Sequence, residues 1–108
     1  MEIVLFVRVK SDLEPEELER RLLERLPRFR EVPGLRQKIY GRDAATGEIC
    51  GIYFFESAET LAGFRDSELA RSIASAYEAT DVRREKYEVL YSLWPDHGPF
   101  TGAADETK

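Results

Sequence analysis

Apolar and polar positions along the chain fall into stretches of two different periods. Residues 2–10, EIVLFVRVK, are β-branched and apolar, and they predict a strand. Ile3, Leu5, Val7 and Val9 share one face; Val4, Phe6 and Arg8 share the other. Both faces carry apolar side chains, which predicts a central strand covered on both sides. Residues 14–30 change to a helical period, with Leu18, Leu22, Leu26 and Phe29 in one stripe widened by Leu23. Pro15 suits the first helical position, and the acids after it suit the positive end of the helix dipole. Pro27 predicts a kink or break near Arg25–Leu26.

A Pro-Gly turn at residues 31–34 leads into LRQKIYGRD (35–43), where Leu35, Gln37 and Ile39 alternate with Arg36, Lys38 and Tyr40. AATG turns the chain back into EICGIYFFE (48–56), so residues 35–56 predict a β-hairpin. Ser57 is placed to cap a short helix carrying Leu61 and Phe64, and Ser67 to cap a second piece carrying Leu69, Ile73 and Tyr77. Residues 78–85 read as a polar connection, and KYEVLYSLW (86–94) as the last strand, with Tyr87, Val89, Tyr91 and Leu93 on one side. Pro95 stops it. The order β-α-β-β-α(α)-β predicts an α+β, ferredoxin-like fold: a four-stranded antiparallel sheet with its helices on one face. Residues 1–95 form the expected domain, and 96–108 an arm or disordered tail. Ile52, Phe54 and Leu90 point away from the Tyr53/Phe55 side, so the second face of the sheet is also apolar. A second copy, sheet against sheet, is the simplest cover for it.

Composition narrows the function classes. The chain has 108 residues, the length of one domain, and a net charge of −5 with basic and acidic residues interleaved. That pattern argues against nucleic acid as a partner. RLPRFR, the densest basic stretch, reads as a solvated helix end. Cys50 is the only cysteine, so neither an internal disulfide nor a cysteine-paired zinc site is available. No stretch is long and apolar enough to span a membrane, and no signal peptide is recognisable; a cytoplasmic protein is expected. Phosphate-loop, dinucleotide and zinc-protease motifs are missing.

PGLRQKIY, GIYFFES and the helix opening ESAETLAGF resemble the YdhR-like mono-oxygenases of the dimeric α+β barrel superfamily. The likeness extends loosely over residues 2–94. It implies a homodimer with a barrel-like interface between two sheets, and a pocket in each subunit between sheet and helices. It also implies oxidation of a small hydroxylated aromatic or polyketide-like compound by dioxygen without a bound cofactor. Haem-degrading members of the superfamily use a histidine on the iron. The single histidine here, His97, lies beyond Pro95, which disfavours haem.

Two groups of residues are candidates for chemistry. Tyr53, Tyr87 and Tyr91 sit on the apolar faces of their strands, with Phe64 and Tyr77 brought towards them from the helices. Together with Gln37 they would bind a flat hydroxylated substrate, or form an ordinary aromatic core with hydroxyls at its rim. Gly51 shares the Tyr53 face and leaves room beside the rings for either a helix residue or a ligand. Arg8 and Lys38, with Glu88, form the second group on the opposite face. They are ion pairs at a dimer interface, or else Arg8 and Lys38 are catalytic groups that stabilise an enolate or phenolate. Cys50 reads as a small buried hydrophobe. The expected function is a cofactor-independent mono-oxygenase with no metal. The alternatives are a non-enzymatic small-molecule-binding or stress-related protein of the same fold, or an isomerase or decarboxylase using the same pocket.

Overall fold

A computed structural model describes residues 1–98 of the chain. It contains β1 (Ile3–Ser11), α1 (Pro15–Phe29), β2 (Leu35–Arg42), β3 (Ile49–Phe55), α2 (Ala58–Arg65), the single turns α3 (Glu68–Arg71) and α4 (Ile73–Ala76), and β4 (Ala79–Glu88). The strands form one antiparallel sheet in the order β2-β3-β1-β4. This is the ferredoxin-like arrangement that the order of elements implies.

The alternation in β1 decides where the core lies. Ile3, Leu5, Val7 and Val9 are all buried, and opposite them β3 contributes Ile49, Tyr53 and Phe55. Leu18, Leu22 and Phe29 of α1, Leu61 and Phe64 of α2, and Leu69, Ile73 and Tyr77 beyond close over the same face. α2 starts where Ser57 and Thr60 form a reciprocal capping box, as the Ser57 position predicts. The other face carries Val4, Phe6, Ile39, Cys50, Ile52 and Phe54, all only partly buried.

β2 departs from strict alternation, with consequences for the site. Its pairing with β3 shifts between Leu35 and Gln37, leaving Arg36 as the extra residue of a bulge. Leu35 faces Phe55 on the helix side; Gln37 then faces Phe54 on the open side, and Lys38 faces Tyr53. One inserted residue therefore turns Lys38 and Tyr40 into the core side, contrary to the alternation that put them on the opposite face. Gly34 makes the entry turn. Its φ of +78° suits glycine, and a Cβ there would lie 2.3 Å from Thr60 Cγ2.

Two further expectations need correction. The last strand is Ala79–Glu88, not 86–94, so most of the expected polar connection is itself the strand. β4 is an edge strand, and its charges are the usual guard on an unpaired edge, which makes it look like a loop. It ends where Glu88 pairs with Ile3 at the start of β1, followed by one more backbone bond from Val89 N to Glu2 O at 2.9 Å. Leu90, Tyr91, Leu93 and Trp94 follow as an exposed extension. Helix α1, for its part, does not break near Arg25–Leu26 but continues through Pro27 to Phe29. Proline removes only the bond to the Leu23 carbonyl, and both residues are on the exposed side, where water can replace it. Of the expected tail, residues 99–108 lie outside the described residues.

Candidate functional site

The bulge in β2 sends an amine into an aromatic cage. Lys38 Nζ lies 3.4 Å from the centroid of the Phe29 ring and 4.3 Å from those of Tyr40 and Tyr53. Behind them the Tyr53 ring packs against Phe55, Phe64 and Phe29 at centroid distances of 5.3–6.0 Å. Gly51 stands opposite Tyr40 in the register. A Cβ on it would lie 3.0 Å from Lys38 Cε and 3.2 Å from Tyr53 Cε1. The glycine in the aromatic strand is therefore where the lysine side chain passes.

This environment sets the protonation state of the amine. Burial pushes the Lys38 pKa down to about 6, and the nearby Arg25 guanidinium pushes it the same way. Each ring face favours an ammonium by about 0.5–2 kcal/mol, which acts against that shift. With its pKa drawn down towards neutrality, Lys38 is suited to act as a base rather than only as a fixed charge. Burial raises the phenols: Tyr40 to about 12, with Tyr53 and Tyr77 also moved up.

Two polar atoms at the site have no partner. Tyr40 Oη and Arg25 Nε are buried without a hydrogen bond, although the Arg25 Nη2 nitrogen reaches Leu69 O and Ser72 Oγ at 3.3 Å. A cavity of about 20 Å³ lies among Lys38, Tyr40, Tyr53, Tyr77 and Gly51, enough for a water molecule. Lys38 and Tyr40 also border a cleft of about 400 Å³ between β2 and the end of α1. The amine therefore stands between an interior cavity and a ligand-sized opening. Because the Tyr40 hydroxyl is buried without a partner, Tyr40→Phe is expected to leave stability equal or raise it by about 1 kcal/mol. It should also weaken binding of a hydroxylated ligand; thermal melts with and without the ligand check both.

The residues proposed from sequence separate. Tyr53 and Tyr77 are buried and meet at the cavity, with Phe64 packed behind Tyr53. Tyr87 is on the open face, where its hydroxyl donates to Glu85 Oε1 at 3.1 Å, and Tyr91 is 89% exposed beyond the sheet. Neither reaches Tyr53: Tyr87 pairs with Val4, which faces the open side, and Tyr91 lies beyond the end of β4. Gln37 turns to the open side at the rim of the cleft, and Lys38 takes the position expected for it. Tyr40 and Arg25 were missed. The signal for Tyr40 was its parity with Lys38; Arg25 lies between the apolar positions of α1 and reads as a wet residue.

Arg8 is on the far side of the sheet from Lys38. Its Nε donates to Glu48 at 2.5 Å and its Nη2 pairs with Asp43, both from the β2–β3 loop. These carboxylates raise the Arg8 pKa, and the partly exposed cluster fixes the loop rather than facing the cavity.

A family model described as "Putative mono-oxygenase ydhR" matches residues 4–94. No curated protein matches the chain in sequence. Among solved structures, SnoaB, a cofactor-independent oxygenase from Streptomyces nogalater, superposes with a TM-score of 0.71 at 14% identity, over 85% of this chain and 96% of its own. Rv0793 from Mycobacterium tuberculosis gives 0.71 at 16%, covering 87% and 100%. PA3566 from Pseudomonas aeruginosa gives 0.67 at 17%, covering 83% and 95%. At such identities the likeness carries the fold.

Proposed function

The chain belongs to the ydhR family, and from that premise we propose that it is a cofactor-independent mono-oxygenase of a small hydroxylated aromatic or polyketide-like compound, with Lys38 as its base. The observation that carries this reading is the amine of Lys38, withdrawn from water into a cage of three rings and bordering a cleft of about 400 Å³. That volume is in the usual range for small-molecule sites.

The chemistry follows from the cage. A phenol or enol entering the cleft gives its proton to the Lys38 amine. The resulting ammonium and the Arg25 guanidinium then stabilise the anion in a medium where charges interact strongly. The electron-rich anion is oxidised by dioxygen. In the net reaction a ring CH₂ becomes a carbonyl: one oxygen atom enters the product, and the other leaves as water with the two hydrogens. Tyr40, which borders the cleft, holds a substrate oxygen through its hydroxyl. The reading includes a homodimer joined through the open apolar face of the sheet, with the exposed Leu90, Tyr91, Leu93 and Trp94 segment covered by the second copy. Among the described residues no helix is long and apolar enough to cross a membrane.

An oxygen electrode with a tricyclic anthrone tests the activity. One dioxygen should be consumed per quinone formed, without hydrogen peroxide, faster than the uncatalysed background. Binding of the anthrone with no oxygen uptake above that background would replace the enzyme by a small-molecule-binding protein.

A further inference from the structure

The cleft above Lys38 has a charge that the chain as a whole does not predict. The sequence holds 21 acidic and 16 basic residues, yet among the described residues the cleft is bordered by Arg30, Arg36 and Lys38 and by no carboxylate side chain. Its floor is apolar, made by Leu26, Phe29 and Leu35. The three basic groups are not equivalent. Arg36 is paired with Glu2 through a short contact, and Lys38 is withdrawn among its rings. Arg30 is exposed at the C-terminal end of α1, and its side chain makes no ion pair with any described residue. Its charge is still felt by the Tyr40 hydroxyl, which is itself buried and unpartnered.

Such a cleft asks for a ligand with a flat apolar body, an anionic group at one end and a hydrogen-bonding oxygen at the other. We infer that it binds a planar aromatic carboxylate, with the acid group on Arg30 and a hydroxylated edge directed to Lys38 and Tyr40. Guanidinium groups suit this task because their planar fork matches both oxygens of a carboxylate. The flat body covers Phe29 and Leu35, where an aromatic ring gains most from burial. The inference rests on the Lys38 site proposed above and narrows its substrate class from hydroxylated aromatics to hydroxylated aromatic acids.

The test compares 6-hydroxy-2-naphthoate with 2-naphthol, which has the same rings and hydroxyl and lacks the acid. Fluorescence titration without turnover should give the naphthoate about ten-fold tighter binding at low salt. The advantage should shrink at about 0.5 M salt, because Arg30 is exposed. Arg30→Gln should remove most of it and leave 2-naphthol binding within about two-fold; Arg65→Gln, an exposed arginine on α2, should change neither. Equal affinity for the two probes in the wild type would overturn the inference. So would an advantage that survives Arg30→Gln, or one lost equally in Arg65→Gln. A naphthoate preference with no oxygen uptake from the anthrone would keep this inference and remove the oxygenase; uptake without the preference would do the reverse.

Discussion

Lys38→Met is expected to abolish oxygen uptake and to raise the melting temperature by roughly 10 °C at pH 7.5, the shift for about 2 kcal/mol in a domain of this size. Methionine keeps the length and apolar stem of lysine and fits among Phe29, Tyr40 and Tyr53, where a thioether packs well. It removes an amine that folding withdraws from water. A residue that costs stability and gains nothing in packing is what a functional site looks like, and the usual sign of it is a variant that is more stable and inactive. Calorimetry of the two proteins beside the oxygen electrode reads both effects. A variant less stable than the wild type would mean that the amine holds the core together. Full activity in a folded variant would remove the base from the mechanism.

The pH dependence separates this account from a simple packing effect. In the unfolded chain a lysine keeps its proton to about pH 10.4. In the folded protein Lys38 releases it near pH 6. Between those values the unfolded state holds the extra proton, so rising pH favours the folded state, by at most about 1.4 kcal/mol per pH unit. The stability advantage of Lys38→Met should therefore be largest at or below pH 6 and shrink towards pH 10. An advantage constant across that range would place its origin in packing alone. Activity of the wild type, which needs the neutral amine, should fall as pH drops through 6.

Much of the fold was legible because the apolar pattern of β1, α1 and β3 is periodic and each apolar side chain has one place to go. The site was less legible for a reason of parity. Lys38 and Gln37 are neighbours, and which of them enters the core depends on the extra residue, Arg36, at the bulge. Nothing in LRQKIYGRD marks that position, since the bulge is stabilised by pairing with Phe54 and Phe55 in another strand. Gly51 was the better clue. A glycine beside Tyr53 left room for a helix residue or a ligand, and the structure fills it with neither but with the Lys38 side chain of the neighbouring strand. β4 failed for the opposite reason. An edge strand need not be apolar, so ATDVRREKYE looks like a loop, and the apolar LYSLW after it looks like a strand although no partner strand reaches that far. Tyr87 and Tyr91, which the sequence pattern assigns to the pocket, are solvent-facing in the single chain.

That exposure leads to the second large effect, on assembly. The open face aligns Val4 with Phe54, and Phe6 with Ile52, which also faces Ile39, in one apolar patch across three strands. The patch is too continuous to suit a monomer, and the two-fold self-contact expected of most homodimers would bury it twice over. Sedimentation at micromolar concentration should give about twice the chain mass of 12.4 kDa. Phe54→Lys would place a lysine of each copy in a desolvated interface. Losing the aromatic burial and burying a charge at both copies should weaken the dimer by at least about a hundred-fold, so the variant should sediment as a monomer at that concentration. Leu23→Lys, on the exposed side of α1, should leave the mass unchanged. Ending the chain at Val89 should also weaken the dimer, because it removes Leu90, Tyr91, Leu93 and Trp94 and with them their burial against the second copy, while each sheet stays intact. A Phe54→Lys protein that remains dimeric would move the interface to the helical side of the sheet. A wild type that is monomeric would leave the open face without a second copy to cover it.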